Sequence, residues 1–180
     1  MTSVFIGGSR AISRMTPIIR ERLDDLMRRE CQILVGDANG VDKMVQQHFA
    51  SRGYAHVIVY SMANCRNNVG NWPRRTVESP AKAKGFAYYA AKDLAMARDA
   101  QCGVMLWDGA SKGTLNNVQN LISAEKKVLV YLSATQSFFK LNDRADLEGL
   151  LSQCDPKEIA AARGQIDEKL SGGAQMELAR

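Results

Sequence analysis

Residues 103–132 read GVMLWDGASKGTLNNVQNLISAEKKVLVYL, and this stretch decides the fold. Gly103-Val104-Met105-Leu106-Trp107 is an apolar run that stops at Asp108-Gly109. From Gly113 to about Glu125 the pattern is helical. Lys127-Val128-Leu129-Val130-Tyr131-Leu132 is apolar again. Neither run alternates polar with apolar residues, so each reads as a strand covered on both faces. Strand, helix and strand in that order make one unit of a parallel sheet.

The same unit repeats toward the N-terminus. Val4-Phe5-Ile6 ends at Gly7-Gly8, and Thr16-Pro17 places an N-cap and an N1 proline before a helix to about Glu30. Ile33-Leu34-Val35 is a second strand, stopped by Gly36. Val41, Met44, Val45, His48 and Phe49 fall on one helical face, and Val57-Ile58-Val59-Tyr60 is a third strand. Residues 61–84 show no period and are rich in Asn, Arg, Pro and Lys; such a stretch is expected to be functional or mobile. Helix resumes from Phe86 to about Ala100. The expected fold is α/β, a doubly wound, mainly parallel Rossmann-like sheet over residues 1–132. Residues 133–180 are expected as a helical C-terminal extension. Helices are anticipated over 143–151 and from Asp155-Pro156-Lys157-Glu158, and fraying from Ser171 onward.

The chain has 180 residues, 24 Lys+Arg and 19 Asp+Glu, for a formal charge of +5. Residues 1–90 hold 13 basic and 7 acidic side chains (+6), and residues 91–180 hold 11 and 12 (−1). Between Arg66 and Lys92 six basic residues face Glu78 alone, which suits an anionic ligand, a nucleic acid or a solvated loop. No run reaches the roughly 18 apolar residues that span a bilayer, and the N-terminus reads as a strand rather than a secretion signal. Cys31, Cys65, Cys102 and Cys154 lie far apart with no C-x-x-C pair. A reduced, cytoplasmic protein without metal or membrane partner is therefore expected. His48 reads as a core residue. Trp72, Arg74 and Arg75 are open between base stacking, a lid and edge packing.

Three strand ends carry small, glycine-containing turns that a doubly wound sheet brings to one edge. The first supplies Gly7, Gly8, Ser9 and Arg10. The second supplies Gly36, Asp37 and Gly40, with Asp42 a helix cap. The third supplies Gly109, Ser111, Lys112, Gly113 and Thr114. Such turns let backbone approach a ligand, and helix N-termini attract phosphate. None is a G-x-G-x-x-G fingerprint or a Walker A loop, so dinucleotide oxidoreduction and P-loop hydrolysis are disfavoured and no cofactor is expected.

The run Met96-Ala97-Arg98-Asp99-Ala100, Val104-Met105-Leu106, Gly109, Gly113-Thr114-Leu115-Asn116-Asn117 resembles the signature of the SLOG superfamily. That Rossmann-like group contains the Smf/DprA and "Lonely guy" proteins. The other two turns are similar to the superfamily's remaining ligand-facing turns, so the resemblance spans about residues 1–132. It implies a nucleotide-derived ligand bound across the turns, and dimers or higher homo-oligomers built through helices such as that bearing Tyr88-Tyr89 and Met96.

The "Lonely guy" branch cleaves the N-glycosidic bond of nucleoside 5′-monophosphates, with the motif Pro-Gly-Gly-x-Gly-Thr-x-x-Glu after an Arg-Lys pair. Here Trp107-Asp108-Gly109 stands in place of Pro-Gly-Gly, Asn117 in place of the catalytic Glu, and Lys92-Asp93 in place of Arg-Lys. Asn117 can bond a ribose hydroxyl but cannot be a base. Asp93 and Asp108 are the carboxylates that could replace the missing acid, and Asp108 is equally suited to forming the turn. The candidate catalytic residues are thus Asp108, Asp93, Lys92 and Asn117. The expected function is binding of a nucleotide or nucleoside monophosphate, with phosphoribohydrolase-like cleavage as the implied chemistry. The alternatives are a non-catalytic nucleotide sensor and, third, a single-stranded DNA-binding module like the Smf/DprA branch.

Overall fold

A computed structural model describes residues 1–78 and 85–164. The expected fraying after Ser171, together with Lys82 and Lys84, lies outside the described residues. The elements are β1 (Ser3–Gly8), α1 (Pro17–Arg28), β2 (Gln32–Val35), α2 (Val41–Ala50), β3 (Val57–Ser61) and β4 (Arg74–Thr76). Then follow α3 (Gly85–Asp99), β5 (Cys102–Trp107), α4 (Lys112–Ser123), β6 (Val128–Leu132), β7 (Ser137–Leu141) and α5 (Arg144–Leu151). A sixth helix, α6, covers 156–164.

The seven strands form one sheet in the order β4-β3-β2-β1-β5-β6-β7. Every pairing is parallel except β6 with β7. The fold is therefore the expected Rossmann-like α/β, wound in both directions from β1. Successive side chains of β1 go to opposite layers: Val4 and Ile6 join the core with Ile19, Leu23, Val45 and Phe49, whereas Phe5 joins Met96, Met105, Leu115 and Leu121. Helices α1 and α2 thus cover one face, and α3 and α4 the other.

Two strands escaped the sequence reading. β4 is Arg-Arg-Thr, wholly exposed at the sheet edge, and has no apolar residue to announce it. Charged side chains there discourage a further strand from pairing. β7 follows β6 through a turn without glycine, with Gln136 at φ +50°. It gives the expected helical extension a strand of its own. Leu147, Leu150 and Leu151 of α5 and Ile159 of α6 pack into the same layer as α3 and α4. The Asp-Pro helix start is present: Asp155 Oδ1 accepts from the Lys157 amide at 2.8 Å.

The segment between β3 and β4 is held to the domain by hydrogen bonds. The Gln46 amide donates to the carbonyls of Gly36 (2.8 Å) and Asn67 (3.2 Å), and its oxygen accepts from the Val69 amide (2.9 Å). Trp72 is buried, and its indole N–H donates to the Tyr54 carbonyl at 2.8 Å. It packs the edge of the domain and has no ring face to offer a base. Buried His48 lies 2.8 Å from Asp24 and is part of the packing, as its sequence spacing implies.

Candidate functional site

In a doubly wound sheet, ligands bind beyond the strand C-termini where the winding reverses. Here that point lies between β1 and β5. Ser9 ties the two strands together. Its amide donates to the Leu106 carbonyl (2.9 Å) and its hydroxyl donates to Asp108 Oδ2 (2.6 Å). Asp108 Oδ1 also accepts from the amides of Ala110 (3.1 Å) and Ser111 (2.8 Å). Gly109 makes the turn at φ +90°. Both Asp108 oxygens are engaged, Oδ2 by Ser9 and Oδ1 by its own turn, and Asp108 and Gly109 lie outside the cleft lining.

A cleft of about 480 Å³ opens at this edge. Gly7, Gly8, Ser9 and Arg10 form one wall, as the first turn implies. Ser111, Lys112, Gly113 and Thr114 at the start of α4 form another. Ser111 is the N-cap, accepting from the Thr114 amide. Gly113 has no amide partner among the described residues, the usual condition of a first-turn N–H. Arg10 is exposed and makes no ion pair among the described residues. Between these walls lie Lys92, Asp93 and Asn117.

The second turn does not reach the ligand space as expected. Asp37 is buried beneath it, held by Arg66 Nη2 (2.9 Å), Arg66 Nε (3.3 Å) and Lys92 Nζ (3.0 Å). Burial alone would raise its carboxyl; these partners outweigh it and hold the group at about 2. Gly36 sits where any Cβ would meet the Asp42 carboxylate and the Lys92 ammonium. Gly40 caps α2 at φ +77°, its Cα against the Arg10 backbone. These residues shape the floor, and of this turn only Ala38 and Asp42 line the cleft.

Lys92 is the hub. Its side chain is 3% exposed, with Asp37 at 3.0 Å, Asp93 at 3.9 Å and Asp42 at 4.0 Å. Burial pulls its pKa down, but the carboxylates prevail and raise it. An ammonium so enclosed is a structural counter-charge more than a free phosphate contact. Asp93 is different. Burial, with help from Asp42 and Asp37 and against Lys92, raises its carboxyl to about 6. Among the described residues its one hydrogen bond is from Asn117 Nδ2 at 3.5 Å. Asn117 is buried, yet among the described residues its Oδ1 has no hydrogen-bond partner. A carboxyl near 6 can exchange protons near neutral pH, and the Asn117 side chain beside it carries an unused acceptor that is itself shielded from solvent.

The sequence reading named Lys92 and Asp93 of α3 but missed the rest of that wall. Phe86, Tyr89, Ala90 and Met96 also line the cleft, and Arg66 reaches it from the segment after β3. The Arg66 guanidinium lies 4.9 Å over the Tyr89 ring. The signal was present: 86, 89, 93 and 96 repeat at helical spacing.

No family model matches the chain, and no curated protein does. Among solved structures the chain is similar to DNA processing protein A from Helicobacter pylori, described in work on that protein's single-stranded DNA binding mode. The two share 13% identity at a TM-score of 0.58, covering 93% of this chain and 81% of that one. At this identity the likeness is one of fold. Among the described residues no helix is long and apolar enough to cross a membrane, and no acidic, His or Cys group is arranged to hold a metal.

Proposed function

We propose that the cleft binds a nucleoside monophosphate and hydrolyses its N-glycosidic bond, with Asp93 as the working carboxylate. One observation carries this reading: Asp93, raised to about 6, and the unpartnered Asn117 oxygen share a cleft with the first turn of α4. Phosphate would sit at Gly113 and Thr114, with Ser111, Lys112 and Arg10 around it, where a helix N-terminus favours an anion. The ribose would lie against Asn117. In the reaction C1′–N breaks, a water oxygen bonds C1′, and the departing base takes up a proton. Ionised Asp93 would stabilise the positive charge that develops at C1′ and accept a proton from water. With Asp108 engaged in its turn, Asp93 is the acid that fits the role. The pattern that the chain resembles has its catalytic acid at position 117, where this chain carries Asn117, so Asp93 would take over that role from a position the pattern gives to a basic residue.

The test is incubation with a panel of nucleoside monophosphates, with free base followed by chromatography. Wild type is expected to release base and Asp93→Asn to release none. Thermal stabilisation by nucleotides without release would support the sensor reading instead. The structural neighbour suggests single-stranded DNA as another ligand. Salt-sensitive retention of oligonucleotides, with no stabilisation by mononucleotides, would establish that reading and refute ours.

A further inference from the structure

Resting on that reading, we propose that Asp42 is a positioning residue: it shares Lys92 with Asp93, denies Asp93 a full ion pair, and so leaves Asp93 as the proton acceptor of the cleft. The charge count carries this. Three carboxylates, Asp37, Asp42 and Asp93, meet two cations, Arg66 and Lys92. Asp37 takes the close contacts, with Arg66 Nη2 at 2.9 Å and Lys92 Nζ at 3.0 Å. The same ammonium stands 4.0 Å from Asp42 Oδ2 and 3.9 Å from Asp93 Oδ1, so neither has it to itself. With Asp37 and Asp42 ionised the two cations are balanced, and Asp93 is the odd carboxylate. Its ionisation leaves the cluster with one unmatched negative charge.

Asp42 is the better placed of the two to ionise first. It stands in the first turn of α2, where a helix N-terminus favours negative charge. Its Oδ2 accepts from the Ala38 amide at 3.0 Å. Asp93 lies in the middle of α3 and has only the 3.5 Å bond from Asn117 among the described residues. Gly36 makes the sharing possible, because a Cβ there would meet both the Asp42 carboxylate and the Lys92 ammonium. Charged groups approach Asp93 from several elements: Lys92 on its own helix, Asp42 on α2, Asp37 on the turn after β2, and Arg66 from the segment after β3. Arg10 and Lys112 stand elsewhere in the cleft lining. Burial does most to raise the Asp93 carboxyl; Lys92 opposes it, and Asp42 adds to it more than Asp37 does. Burial raises the Asp42 carboxyl too, against Lys92 and the Ala38 amide. Without the Asp42 charge, Lys92 would serve one carboxylate fewer. Asp93 would then ionise at lower pH and be a weaker base.

The experiment follows the Asp42 and Asp93 carboxyls by carbon-13 NMR across pH, in wild type and in Asp42→Asn. In wild type Asp42 is expected to lose its proton below Asp93. The reverse order would overturn the proposal, and this arm needs no variant to fold. In Asp42→Asn the Asp93 midpoint should fall by about one pH unit; an unchanged or raised midpoint would overturn the proposal. The second readout is base release from AMP, GMP, CMP and UMP as a function of pH. In Asp42→Asn its acid limb should follow the Asp93 midpoint downward. A loss of release that is equal at every pH, with the limb unmoved, would make Asp42 merely structural and overturn the proposal. Absence of base release from wild type would refute the functional reading alone, because the two titrations still decide whether Asp42 controls the proton on Asp93.

Discussion

Replacing Asp93 with asparagine should make the folded protein more stable at neutral and alkaline pH, and hardly more stable in acid. The carboxyl lies 3.9 Å from Lys92 Nζ, too far for a good ion pair, and accepts one long bond from Asn117. Burial therefore dominates and lifts it from the ordinary 3.8 to about 6. That rise corresponds to at most about 3 kcal/mol of folding free energy, because the Asp93 side chain is still 24% exposed to the cleft. The sign follows from the two states. Below 3.8 the group is neutral folded and unfolded, and it costs nothing. As pH rises from there through about 6, the unfolded chain ionises first and the folded state loses stability. Above that the full penalty stands. Asparagine never ionises and avoids it. For a chain of this size about 3 kcal/mol is about 6–12 °C in Tm. Urea unfolding of both proteins at about pH 8 and about pH 4 measures the gap. A variant less stable than wild type at the higher pH, or a gap of equal size at both, would refute the reasoning. The same variant should release no base, so gain of stability and loss of activity come together.

Three further outcomes are expected. Lys92→Met removes the counter-charge shared by Asp37, Asp42 and Asp93, and should cost about 3–5 kcal/mol in urea unfolding at neutral pH. Gly40→Ala forces a side chain into φ +77° against the Arg10 backbone; thermal melting should show a loss of at least about 1–2 kcal/mol. Ser9→Ala removes the hydroxyl that bonds Asp108 at 2.6 Å and accepts from the Ala11 amide at 3.1 Å. It should cost about 1–3 kcal/mol by chemical denaturation, and it should weaken ribose 5-phosphate binding by loosening the turn before α4.

The parallel core was legible because each of its strands is an uninterrupted apolar run ended by a small residue. β1, β2, β3, β5 and β6 are all placed by that rule. β4 was not, because its Arg-Arg-Thr sequence pairs through backbone alone and buries nothing. The two glycine turns at β1 and β5 met across the switch point as the spacing required. The turn after β2 looked equivalent in sequence but carries Asp37, whose charge turns inward to Arg66 and Lys92. Pattern cannot separate an aspartate that faces a ligand from one that faces a buried cation 55 residues away. Asp108 was undecidable for a similar reason. An aspartate at a strand end is as fit for catalysis as for accepting amides two and three residues on, and only the geometry shows both oxygens engaged.

The fate of the basic residues bears on which anion the protein meets. The excess between Arg66 and Lys92 suited an anionic ligand, a nucleic acid or a solvated loop. Lys92 is instead buried on Asp37, Arg66 is paired with the same carboxylate, and Arg75 is paired with Asp99 at 2.7 Å. Three of these charges are thereby paired within the fold. Duplex or single-strand binding draws on many cations, each releasing a counterion from the polymer. A cleft needs few, provided they stand beside backbone donors. Arg10 and Lys112 flank the first turn of α4 at the mouth of one concave site. That distribution is the one the proposed mononucleotide would use, a single phosphate at the mouth of the cleft.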